Sequence, residues 1–167
     1  MKVSFNWLKQ YISTDLDAVT IAEILTDTVL EVEKTAEHVS IKGGLEGLFV
    51  GEVLTKEKHP GADRLNVTTV NVGGEPQQIV CGAPNVAVGQ KVVVAVPGTT
   101  LYTEEGEAFK IKKSKIRGVE SLGMICGPDE IGFGGAHEGI MVLDSDAVPG
   151  TPAPEYFKIE KDTQIFK

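Results

Sequence analysis

Cysteine is nearly absent from this sequence: only Cys81 and Cys126 occur. They form no C-x-x-C pair, which excludes a zinc knuckle and a thioredoxin-type motif. Two buried thiols in a reducing compartment are the expectation. Histidine is equally sparse, and His38, His59 and His137 stand far apart, without metal-ligand spacing. No G-x-S-x-G, P-loop or H-E-x-x-H string occurs, so the common hydrolytic and nucleotide-cleaving machineries have no sequence footing. Asp129-Glu130 is a carboxylate pair, but neighbouring acids at a helix start serve the helix dipole. No catalytic residue and no metal ligand is assigned. The opening "MKVSFNWLKQYIS" has no apolar run long enough for a signal peptide or a membrane span. A soluble cytoplasmic protein is expected, with no membrane partner.

Positive charge is also in deficit. The net charge is −8, which argues against a histone-like coat on nucleic acid. The deficit is uneven, however. Residues 43–150 hold nine bases, and five of them (Lys110, Lys112, Lys113, Lys115 and Arg117) fall within eight positions. Screening limits the reach of distant charge to about 8 Å at physiological salt, so a local basic patch can bind a polyanion on an acidic body.

What the chain does have is glycine, 19 residues, with 8 prolines, and apolar residues at 41%. That composition suits a packed core of short strands joined by tight turns. A short helix is predicted over residues 4–12, capped by Ser4, with Phe5, Leu8 and Ile12 on one face. A second helix starts after Asp17, with Val19, Ala22 and Leu25 near one side and Ile21, Ile24 and Val29 widening the stripe. "VLEVEKTAEHV" (29–39) reads as an amphipathic strand. After Gly43-Gly44 the texture becomes β. "LFVGEVLTKEK" (48–58) is a strand in which Gly51 suggests a bulge or bend. "RLNVTTVNVGGEPQQIVCG" is a hairpin turning at Gly73-Gly74. "KVVVAVP" is a buried strand, "FKIKKSKI" begins another, and "GIMVLD" is the last. "PDEIG" suits one helical turn with Pro128 at its first position.

These elements predict a mainly β chain with a small α/β appendage. Five or six short strands over roughly 100 residues indicate a closed Greek-key barrel of the OB type. "VPGTPAPEY" reads as a linker, and "FKIEKDTQIF" as one more strand whose available partner is the N-terminal segment. The expected organisation is residues 1–42 as the first part of a discontinuous α+β domain, 43–150 as the inserted barrel, and 151–167 as linker and start of the second part. That second part looks unfinished, so the chain is expected to be a piece of something larger.

The basic strand is the main functional signal. On an unbroken pleat Lys110 and Lys112 project from one face, and Lys113, Lys115 and Arg117 from the other. Lysines suit phosphate contacts, and Arg117 can fork a phosphate or stack on a base. A solvated edge strand protected by lysines is the competing reading. "KEKHPGADRLN" adds Lys56, Lys58, His59 and Arg64 around a Pro-Gly turn, where a barrel of this type carries part of its oligonucleotide face. Asn85, in "CGAPNV", can bond backbone or a base edge.

The strings "VGEVLTKEKHPGADRLNVTTVNVG", "IVCGAPNVAVGQKVVVAVPG" and "KIRGVESLGMICG" resemble, in that order, the tRNA-binding barrel shared by several aminoacyl-tRNA synthetases and free-standing tRNA-binding proteins. The flanks "VSFNWLKQYI" and "LTDTVLEVE" resemble the start of the bacterial phenylalanyl-tRNA synthetase beta subunits. The resemblance implies an RNA-facing set of Lys56, His59, Arg64, Asn85, Lys113, Lys115, Arg117, Ser121 and Met124, with Met124 packed under the surface. It implies phenylalanine-specific tRNA as partner, and an alpha subunit in an α2β2 tetramer of the parent enzyme. ATP and magnesium belong to that parent chemistry, whose active site lies on the alpha subunit, so no cofactor is expected here. The resemblance also leaves open a structural module that positions other synthetase parts.

Overall fold

The computed structural model describes residues 1–28, 30–102, 106–135 and 138–167. Val29, placed above in the second helix's stripe, and His137 lie outside the described residues. The chain opens with β1 (Lys2–Ser4), α1 (Phe5–Leu8), α2 (Ala18–Thr28) and β2 (Lys34–Val39). The middle runs β3 (Leu48–Lys58), β4 (Asn66–Asn71), β5 (Gln77–Cys81), β6 (Lys91–Ala95), β7 (Thr100–Tyr102) and β8 (Ala108–Lys110). Then follow β9 (Ser114–Ile116), β10 (Val119–Ser121), β11 (Met124–Ile125), a 3-10 turn over Asp129–Ile131, β12 (Val142–Leu143), α3 (Ala153–Tyr156) and β13 (Lys161–Phe166). The described chain is mainly β, and it divides into two units, Met1–Ser40 with Glu160–Lys167, and Ile41–Ile159.

In the first unit β13 lies between β1 and β2, antiparallel to both. The last strand therefore does find its partners in the N-terminal segment. Ser4 caps α1, its hydroxyl accepting from the Trp7 N–H at 3.0 Å. Asp17 caps α2, accepting from the Thr20 N–H at 2.7 Å. The buried face of α2 is Ala18, Ile21 and Ala22, packed with Phe5 and Ile165. Val19 and Ile24, expected inside, are exposed. The strand expected over 29–39 starts only at Lys34. The Leu30 N–H donates to Leu25 O and the Val32 N–H to Thr26 Oγ1, which ties residues 30–32 to the helix end instead of the sheet.

The second unit is a nearly closed barrel. Its main sheet runs β11-β6-β3-β4-β5, with β12 also on β6. Strand β6 explains the unbroken run "VVVA": Val92 and Val94 enter one apolar cluster with Val53, Val70 and Ile79, while Val93 and Ala95 enter another with Leu48, Leu101 and Cys126. A strand buried on both faces reads as continuous rather than alternating. Strand β4 alternates, with Asn66, Thr68 and Val70 inside, and the Thr68 hydroxyl is satisfied by Ile79 O at 2.8 Å. Past β5 the barrel nearly closes through residues 120–122: the Val80 N–H donates to Ser121 Oγ and the Leu122 N–H to Gln78 O.

Several expectations need correction. The bulge in β3 falls between Val53 and Thr55, where the register with β4 shifts, not at Gly51. Gly51 instead marks close packing, since a Cβ there would stand 2.7 Å from Val94 Cγ2 and 2.8 Å from Val70 Cγ1. Pro128 precedes the 3-10 turn rather than opening it. "VPGTPAPEY" is not a linker: Ala153 is fully buried in the barrel unit, and the Val50 N–H donates to Thr151 O. The chain leaves the barrel unit only after Ile159.

Candidate nucleic-acid interface

The basic strand is broken. Lys110 ends β8, which pairs with β7, and Lys115 lies in β9, which pairs with β10. Between them Ile111 is drawn inward: its N–H donates to Thr99 O, and its carbonyl accepts from the Gly98 N–H, both at 2.8 Å. That capture leaves Lys112 and Lys113 off any ladder, so the two-faced pleat expected of "FKIKKSKI" does not form. The β9–β10 connection is the two-residue turn Arg117-Gly118, with φ of 47° and 90°. Positive φ at both positions matches the twist of a tight hairpin. It thrusts the exposed Arg117 to the tip.

The two basic segments meet through one histidine. His59 is buried, 5% exposed. Its Nδ1 accepts from the Gly61 N–H at 3.0 Å, so the ring proton sits on Nε2, which donates to Ile116 O at 3.0 Å. The loop after β3 is thereby fastened to the end of β9. Lys58, which ends β3, Arg64, on that loop, and Arg117, beside Ile116, are carried by joined segments.

A groove of about 780 Å³ lies beside this junction. Leu65, Ile116, Met124 and Ile140 give it apolar surface, and Lys110, Lys112, Glu130 and Glu138 line it too. Met124 accordingly packs against the core from a half-buried position. Glu130 Oε2 accepts from the Gly127 N–H at 2.7 Å, which orients it. Its charge reaches the core thiols. Burial, with Glu130 and Asp129 adding to it, pushes the Cys126 thiol well above its ordinary value. Burial likewise raises Cys81, where Glu130 adds and Lys56 opposes.

The remaining candidates divide by what their atoms already bond. Lys58, Arg64, Lys110, Lys112, Lys115 and Arg117 are exposed. Among the described residues the Lys58 ammonium makes a long contact, 3.4 Å, to Asp63 O. Lys56 donates to Val86 O at 2.6 Å, and Lys113 pairs with Glu120 at 3.0 Å. Glu120 also faces Lys115 across the β9–β10 ladder. Two candidates, His59 and Ser121, are buried, and a third, Asn85, is exposed with its amide engaged. His59 has both ring nitrogens engaged inside the protein. Ser121 is 1% exposed, and its hydroxyl accepts from the Val80 N–H and donates to Gly123 O. Asn85 spends its amide on Ile140, donating to the carbonyl and accepting the N–H. His59 and Ser121 face inward, while Asn85 is exposed and ties its loop to Ile140.

A family model described as "Putative tRNA binding domain" matches residues 48–152. The chain belongs to this tRNA-binding domain family. Beyond the tRNA-binding domain, 97% of the chain is similar to the phenylalanine–tRNA ligase beta subunit of Bacteroides fragilis, at 60% identity. The same subunit of Acinetobacter baylyi is 48% identical over 96% of the chain. The chain spans about a fifth of the length of these relatives. Among solved structures, it is similar to a MetRS-related protein from Pyrococcus horikoshii, with a TM-score of 0.45 and 22% identity over 62% of this chain and 85% of that one. Among the described residues no helix is long and apolar enough to cross a membrane.

Sequence reasoning passed over Glu138 and the apolar groove surface. Only the approach of residues 138–140 to β11 and β5 makes them neighbours, and no local pattern announces that approach.

Proposed function

We propose that this chain is the RNA-binding part of a phenylalanine–tRNA ligase beta subunit, an OB-fold Greek-key barrel inserted into a discontinuous α+β domain. The observation that carries the reading is the His59–Ile116 bond. It joins the segments that carry Lys58, Arg64, Lys115 and Arg117, four of the six exposed candidate cations, beside a groove that Lys110 and Lys112 line. The contacting set is Lys58, Arg64, Lys110, Lys112, Lys115 and Arg117, with Lys56 and Lys113 reachable once they leave their internal partners. Binding is led by charge and shape. The module works in the cytoplasm and supports aminoacylation of phenylalanine-specific tRNA within an α2β2 enzyme, whose alpha subunit, ATP and magnesium carry out the chemistry elsewhere.

A salt-titrated gel shift with tRNA and unlabelled competitor tests this. With about four phosphates neutralised, log affinity falls with log salt at a slope of roughly −3 to −4. Replacing Lys113, Lys115 and Arg117 together by Ala flattens the slope. An unaltered slope in that variant would remove these residues from the interface.

A second reading has its own support. Trp7, Tyr11, Val19 and Ile24 of the first unit are exposed, and exposed apolar side chains suit protein contacts. In that reading the chain positions other synthetase parts. It then binds no tRNA alone, and its deletion from the parent prevents subunit assembly.

A further inference from the structure

The groove beside the junction carries charge of both signs. Lys110 lines it from the end of β8 and Lys112 from the segment between β8 and β9, while Glu130 and Glu138 line it from the segments after β11. The acidic wall is built by close approach. A Cβ on Gly127 would lie 2.6 Å from Gly139 O and 2.7 Å from Asp129 Oδ1. Only glycine lets the chain beside Glu138 close on the turn that holds Glu130. Among the described residues neither lysine forms an ion pair with either carboxylate. A volume of about 780 Å³ with apolar surface falls in the range of small-ligand sites.

This pattern is selective. A carboxylate accepts hydrogen bonds and repels phosphate, so an RNA strand cannot run its backbone along the Glu130–Glu138 wall. A base edge bearing an exocyclic amine can donate to it, as cytosine N4 donates to carboxylates. Lysines take the phosphate, and the apolar surface takes the base face. Resting on the RNA-binding reading above, we propose that this groove holds one unpaired nucleotide. Its phosphate lies toward Lys110 and Lys112, and its amino-bearing base edge meets Glu130 and Glu138. Uracil, which offers an oxygen acceptor where cytosine offers an amine, is rejected.

Cytosine and uracil have nearly the same size, so they isolate this contact. The whole chain is titrated with short oligocytidylate and oligouridylate of equal length, and with tRNA in parallel. Oligocytidylate is expected to bind about tenfold more tightly, the lower part of the range for reading one base edge. Glu138→Gln supplies a donor as well as an acceptor and brings the ratio close to one. The double variant Lys110→Ala/Lys112→Ala weakens both oligomers alike and keeps the ratio. Equal affinities in the unmodified chain, or a ratio unmoved by Glu138→Gln, overturn the groove assignment. If tRNA still binds in that case, the RNA-binding reading survives without it. If neither tRNA nor oligomers bind, both fall together.

Discussion

His59 Nε2 lies 3.0 Å from Ile116 O across 57 positions of sequence. This bond fastens the β3–β4 loop to β9, and the opposite ring nitrogen is held by the Gly61 N–H. Both nitrogens of the buried ring are thus engaged inside the protein.

His59→Ala is expected to cost about 1–3 kcal/mol, because it empties the buried ring's place and leaves the half-buried Ile116 carbonyl without its bond. Urea unfolding measures that loss. The tRNA affinity should also fall although the ring touches no ligand, since Arg64 and Arg117 lose their common support. Full stability or full affinity in the variant would contradict the role given to this bond.

Gly51→Ala should destabilise the barrel by about 1–3 kcal/mol through overpacking, given the contacts of 2.7 and 2.8 Å that its Cβ would make. The control is Gly74→Ala, where a Cβ would meet nothing within 4 Å. Chemical unfolding of the two variants side by side should separate them clearly.

Asp162 gives the first unit an acid-sensitive tie. Burial works to raise its pKa, but hydrogen bonds from the Asn6 N–H, the Ser4 hydroxyl and the Thr163 N–H hold it below its ordinary 3.8. A carboxyl depressed on folding stabilises fully above the unfolded value, and that contribution disappears as pH falls through the folded one. Asp162→Asn should therefore lower Tm at neutral pH, with the difference closing in acid below about 3.8. Melts followed by circular dichroism across that range provide the check, and a difference that stays constant would refute the tie.

Cys126 should not react with a disulfide reagent at neutral pH in the folded protein. It is fully buried, its thiol donates to Met124 O at 3.6 Å, and its pKa is raised by burial and nearby carboxylates. Cys81 is buried as well and should lag a model thiol. Both should label promptly once urea unfolds the chain.

Much of the architecture was legible because it is local. Asp17 and Ser4 announce their helices through capping chemistry, and Gly73-Gly74 between alternating runs announces the β4–β5 hairpin. The run Val92–Ala95 announces a strand covered on both sides. The start of β2 was misread because Thr26 Oγ1 and Leu25 O capture residues 30–32, a contact that no periodicity encodes. The basic strand was misread because Thr99 and Gly98 pull Ile111 inward and break the pleat between the lysines. His59 and Ser121 have the polarity of ligand contacts, and only burial with satisfied partners identifies them as internal ties.

From composition and local pattern alone, this chain was bound to be a mainly β, glycine-jointed protein with cations concentrated in two short segments. Those properties depend on side-chain chemistry and on spacings of two to four residues, which travel with the sequence. Which cations stay outside, which polar groups turn inward, and that Glu130 and Glu138 share a groove with Lys110 and Lys112 were decided by tertiary contacts between residues far apart in the chain. Such contacts depend on which backbone donors and acceptors are still unsatisfied after the strands pair, and that is known only when the barrel is folded.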